Sequence, residues 1–254
     1  MPHYTRDQYV AIINDFYTFL TKMYIADSAL KHPPEGGWPN ITPENCSGFG
    51  KNEFVVDLLK HLPYIQGGQD NDVDIYYKCN VLDYSTVTPE QFSGTWIKIG
   101  EIAASTDEPI PAHTVVIAEG HESGGVDLLL DTEKGTIIEE IIRHRRGGEW
   151  DVMEYFGNLK RKYEGLQTFH IPGTETIQEV PDIFNEDETA TPEKGPVRED
   201  GFFFPTERDN RWIRHIYRSH GWPGPEYRRD ECMEAIIRYK AMREGSLIPS
   251  AGLL

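Results

Sequence analysis

Residues 126–141 read VDLLLDTEKGTIIEEI, and this stretch decides the fold. Two runs rich in Leu, Ile and Val flank a short polar connector, and both have strand composition. Gly135 is free to take the positive φ that a tight turn demands, so the runs are expected to pair antiparallel as a hairpin. Glu139 and Glu140 stand side by side in the second run, so at least one strand face there is expected to meet water.

Working outward, strand signals continue upstream in HTVVIAEG from His113, TWIKI from Thr95 and DIYYKCNVLDY from Asp74. Each run is short, β-branched or aromatic, and bounded by polar turns. Helical periodicity brackets them. Tyr9, Ile12, Ile13, Phe16, Phe19, Leu20 and Met23 recur at helical spacing, with Thr5 and Gln8 as a capping box. Phe54, Val55, Leu58, Leu59 and Leu62 share the face of a second, short helix that Pro63 ends. The connecting HPPEGGWPNITPEN is a Pro-rich ordered loop expected to be pinned by Trp38. Downstream of the hairpin, Val152, Met153, Phe156, Leu159 and Tyr163 predict a helix over 149–163 that covers the sheet, with Gly165 after its end.

Residues 175–200 hold nine acids against Lys194 and Arg198 and bury too little apolar surface to offset the entropy of ordering, which reads as an acidic linker. Beyond it, Trp212, Ile213, Ile216 and Tyr217 mark one helix, and Met233, Ile236, Ile237 and Met242 a second, with Asp230 as its N-cap. The expected class is therefore α+β, a mainly antiparallel central sheet flanked by helices with a C-terminal helical hairpin. The expected organisation is a domain over 1–174, a linker over 175–205 and the hairpin over 206–254.

The chain has 254 residues with 25 Lys and Arg against 42 Asp and Glu, a net charge of −17. Sequence-independent affinity for nucleic acid needs concentrated cationic charge, so no nucleic-acid partner is expected. No run approaches the length of a membrane span and the first residues lack a secretory pattern, which points to the cytoplasm or nucleus and to no membrane partner. Cys46, Cys79 and Cys232 are far apart with no CxxC spacing, and read as reduced thiols.

Few residues point to chemistry. GFGKN, 48–52, places glycines and a lysine before a helix, but the spacing is too short for a phosphate-binding loop and a plain loop explains it. His215 and His220 are five apart and do not share a helical face as metal ligands would. There is no G-x-S-x-G and no H-E-x-x-H. No catalytic residue, metal ligand or cofactor is assigned. The run HESGG, 121–125, lies between two strands, and its exposed turn is the candidate protein-binding element: His121, Glu122, Gly124 and Gly125, with Trp150 as an aromatic anchor. A second reading has His113, His121 and Glu122 converge in a pocket on the sheet, as in a small-molecule-binding protein or an enzyme.

GGWPNITPENCSGFGKNEFVVDLLKHLPYI, with its GWPNIT and HLPYI motifs, resembles a set of fungal proteins that open with a helix, this loop and a second helix. HTVVIAEGHESGGVDLLLDTEKGTIIEEI and the helix at Trp150 that follows resemble the SUKH superfamily, which includes fungal cell-wall-synthesis regulators and bacterial toxin-immunity proteins. The resemblance covers about the middle third of the chain. It implies an α+β sheet flanked by helices and a role in noncatalytic intracellular protein binding, with no catalytic residue to carry across.

Overall fold

A computed structural model describes residues 2–66, 73–93, 110–143, 146–174, 176–180, 191–192 and 205–245. The chain divides into two compact units, Met1–Arg161 and Lys162–Leu254. Residues 162–174, grouped by composition with the first domain, lie in the second unit.

The first unit opens with α1 (Arg6–Met23), whose N-cap Thr5 and Gln8 form the expected reciprocal capping box. A short strand β1 (Leu30–Lys31) leads through the Pro-rich loop to α2 (Glu53–His61), capped by the Asn52 side chain, and on to β2 (Tyr64–Ile65), which pairs with β1. In that loop the Trp38 indole donates to the Leu62 carbonyl at 2.8 Å, and a Cβ on Gly37 would sit 2.6 Å from Lys60, so the glycine lets the loop close on α2.

The sheet comes next: β3 (Asp74–Tyr76), β4 (Cys79–Val81), then, after the short helix α3 (Pro89–Ser93), β5 (Thr114–Gly120), β6 (Val126–Asp131), β7 (Thr136–Ile141) and β8 (Arg146–Asp151). These six strands are hydrogen-bonded in sequence order, each antiparallel to the next. The β6–β7 hairpin forms as the sequence requires, with Gly135 at φ 74° and Leu130 opposite Ile137. One face carries Val115, Leu128, Leu130 and Ile137, all fully buried, and the other carries Val116, Leu129 and Ile138 clustered with Ile110. Burial on both faces explains why the runs read as near-continuous apolar sequence rather than strict alternation.

Several expectations need correcting. DIYYKCNVLDY is two strands, because Lys78 turns the chain at φ 46° and lets Asp74 pair with Asn80. The helix at 149–163 is α4 (Val152–Glu164): Asp151 Oδ1 accepts the N–H groups of Met153 and Glu154 and so starts it, leaving Glu149 and Trp150 in β8. Two residues of β8, Gly147 and Gly148, face the single Glu139, a bulge that the glycines accommodate. Glu140 is 4% exposed, whereas Glu139, which accepts from the Tyr155 hydroxyl at 2.8 Å, is half-buried, so of the two acids only Glu139 keeps access to water. The strand expected at 95–99 lies outside the described residues.

Helix α4 begins in the first unit, where Phe156 meets Phe16 of α1 with ring centroids 4.8 Å apart. In the second unit β9 (Thr168–Phe169) pairs with β10 (Gln178–Glu179), and α5 (Glu207–Ser219) and α6 (Arg229–Arg243) form the expected hairpin. Most of the acidic segment lies outside the described residues. Trp222 donates through Nε1 to the Tyr163 carbonyl, Tyr217 to that of His170 and Lys240 to that of Pro172, so the hairpin is held to 163–172 of its own unit. Helix α6 starts two residues earlier than expected: Arg228 takes the N-cap position without a side-chain bond, so Asp230 is a first-turn acid. No described helix is long and apolar enough to cross a membrane.

Candidate functional site

The β-strand order brings three connections to one end of the six-stranded sheet: the turn at Tyr77–Lys78, the turn at 121–125 and the start of the β7–β8 connection at Arg143. They are bonded to one another. The His121 N–H donates to the Lys78 carbonyl at 3.0 Å, the Gly124 N–H to the Ile142 carbonyl at 3.3 Å, and the Ile142 N–H to the Gly125 carbonyl at 2.9 Å.

Side chains reinforce this lacing. His121 Nε2 lies 3.1 Å from Oδ1 of Asp74, whose side chain is 9% exposed, and Lys78 Nζ donates to Glu122 Oε2 at 2.9 Å. Each hairpin thus supplies one acid and one base to the other. The Lys78 ammonium holds the Glu122 carboxyl below its ordinary range. Gly125 is required sterically: a Cβ there would sit 2.4 Å from the His121 carbonyl oxygen and 2.9 Å from that of Lys78. Gly124, at φ 83°, supplies the left-handed step.

Lys78, Glu122 and Arg143 have φ of 46°, 60° and 64°, and they are three of the four described non-glycine residues in the left-handed region. Such backbone costs of order 1 kcal/mol per residue and persists only where surrounding structure enforces it. At the tips of three bonded turns, it presents three charged side chains from one rigid edge.

Of the expected partner-binding residues, His121, Glu122, Gly124 and Gly125 share this turn. Trp150 does not: it stands in β8 opposite Ile137, toward the other end of the strands, 37% exposed, with its ring over Gly148 and 5.7 Å from that of Tyr155. The expected convergence of His113 with His121 and Glu122 does not occur. His113 precedes β5 and His121 comes directly after it, which separates them by roughly 25 Å at strand rise, and His113 instead lies 3.7 Å from Asp131 and from Glu133.

Sequence reasoning missed two polar features. Asp127 stands opposite Glu140, and burial together with that neighbour pushes its carboxyl upward, against the pull of the Gly120 N–H that donates to it at 2.7 Å. In the second unit the fully buried Asp209 accepts from Arg243 Nε at 2.8 Å, from the Tyr239 hydroxyl and from the Thr206 N–H and hydroxyl. The Thr206–Asp209 spacing is a capping-box signal, and Tyr239 with Arg243 share a helical face, but nothing local links the two.

The three cysteines are buried, and burial pushes the Cys46 and Cys232 thiols up to about 11, which keeps them protonated and poorly nucleophilic. Lys51 of the GFGKN loop points at the carbonyls of Ile110 and Pro111, both at 3.4 Å, and so ties the loop to the residues that lead into β5. Among the described residues no group of three or more His, Cys, Asp or Glu is placed to hold a metal. Comparison with known proteins found no matching family model, no matching curated protein and no matching solved structure.

Proposed function

We propose that this chain is a noncatalytic intracellular protein-interaction module of SUKH-like type, which recognises a protein partner with the laced end of its sheet. The observation that carries the reading is the meeting there of three bonded turns with Lys78, Glu122 and Arg143 held in left-handed backbone. Recognition residues are commonly loops fixed on a rigid scaffold, and strained backbone enforced by its surroundings clusters at such sites. His121 and Asp74 act from behind, fixing the shape of the turn, while the more exposed Glu122 and Arg143 face the partner. The acidic chain steers basic partners toward it, and the buried area at the turn tips sets residence time.

Affinity capture with the full chain tests this. A stoichiometric partner recovered by the parent and by Ile237→Glu, and lost with Glu122→Arg and Arg143→Glu, supports the reading. Retention of the partner by both turn variants contradicts it. A large thermal stabilisation by one metabolite, with no protein captured, also contradicts it, since native-state ligand binding raises apparent stability.

A further inference from the structure

The Lys78–Glu122 ion pair leaves one charge at the laced end uncompensated. Arg143 is exposed, and its guanidinium makes no ion pair or hydrogen bond among the described residues. Its backbone is fixed all the same. The Gly124 N–H donates to the Ile142 carbonyl at 3.3 Å, which sets the peptide joining Ser123 to Gly124 against the peptide joining Ile142 to Arg143. Ser123 and Arg143 are therefore neighbours across two turns, with Arg143 held at φ 64°.

The turn adds neutral donors beside that cation. The N–H groups of Glu122 and Ser123 follow one another at the exposed tip, Glu122 at φ 60°, and neither donates to a described residue. Successive N–H groups in a turn form an anion-binding concavity. Lys78 steadies the tip by donating to Glu122 Oε2 at 2.9 Å and to the Ser123 carbonyl at 3.4 Å. Since Lys78 and Glu122 cancel, the tip offers one positive charge and a set of donors. A single carboxylate matches both, because a guanidinium holds it bidentately. A dianion would bring more charge than Arg143 offsets and set it close to Glu122.

We infer that Ser123 and Arg143 form a subsite for one carboxylate of the protein partner, an Asp or Glu side chain seated on the guanidinium and the turn N–H groups. The inference rests on the function proposed above and adds the chemistry of the contact. Steering acts at long range on a partner's net charge, whereas this subsite reads one side chain at contact. A partner that is basic overall and carries an acid at its contact surface satisfies both.

Amide chemical shifts of the full chain, titrated at physiological salt with a capped Ala-Glu-Ala-Glu-Ala peptide and with its Gln counterpart, test this. The Glu peptide is expected to move the Ser123, Gly124 and Arg143 amides saturably with a millimolar dissociation constant, and the Gln peptide to leave them in place. Arg143→Gln removes the cation and Ser123→Asp supplies an acid within the chain, so each weakens the Glu peptide at least about fivefold, while Ile237→Glu has no effect. Both turn residues are exposed, so one variant decides if the other fails to fold. No saturable movement, movement confined to other amides, or undiminished binding by Arg143→Gln overturns the inference. So does inorganic phosphate moving the same amides at lower concentration than the peptide. A captured partner that protects 121–125 and 141–143 yet binds Arg143→Gln as tightly as the parent overturns the subsite and leaves the interaction module standing.

Discussion

At Gly125 the cost of a single methyl group is set by backbone rather than by a movable side chain. The Cβ of Gly125→Ala would meet the His121 carbonyl oxygen at 2.4 Å, so the turn must open. We expect a loss of about 1–3 kcal/mol, read as a lower Tm, and an unchanged Tm would mean that the turn is not laced as described. Asp127 makes a prediction of opposite sign. Its folded-state pKa lies above the unfolded value, so its contribution is most favourable below the unfolded pKa and is lost as pH rises through the folded pKa. Asp127→Asn keeps an acceptor for the Gly120 N–H and removes the charge. Thermal denaturation is expected to show the variant more stable than the parent at neutral pH, with the gap closing in acid. The turn was legible in HESGG because glycines and polar residues between two apolar runs have few other uses. What was not legible was the direction of the side chains: His121 and Glu122 reach across to Asp74 and Lys78, residues more than forty positions away.

Among the elements, α1 is the one whose sequence specified most. Its apolar period and its Thr5–Gln8 box are local signals, and both appear at the stated residues. Thr5→Ala is expected to cost about 1 kcal/mol by urea denaturation. Strand β8 shows the opposite case. RGGEWD has two glycines and little β-branched character, so only its neighbour β7 and the bulge at Glu139 make it a strand, and the helical period of residues 152–163 extended the expected helix backward over its last residues. The α5–α6 pair is braced by Asp209, which lies fully buried against Arg243. Arg243→Met strands that carboxylate, and we expect a loss of about 3–5 kcal/mol, seen as early unfolding of the second unit. The Arg243, Tyr239 and Thr206 donors hold the Asp209 pKa below its unfolded value despite its burial, so this brace is present above the unfolded pKa and fails as pH falls through the folded one.

For the whole molecule, the class was legible because the periods of two and of about 3.6 residues are written locally, and an α+β chain with one antiparallel six-stranded sheet is what forms. The meeting of three turns was not legible. It depends on strand order, which makes neighbours of connections at Lys78, Glu122 and Arg143. In the proposed function the net charge of −17 decides which partners approach and the geometry of the laced end decides which one stays. Amide hydrogen exchange of the full chain, alone and with its captured partner, tests that division most directly. The account predicts partner-dependent protection in peptides spanning 76–79, 121–125 and 141–143, with the rest of the described sheet unchanged. Protection confined to other segments, with these three exchanging as in the free chain, would contradict it.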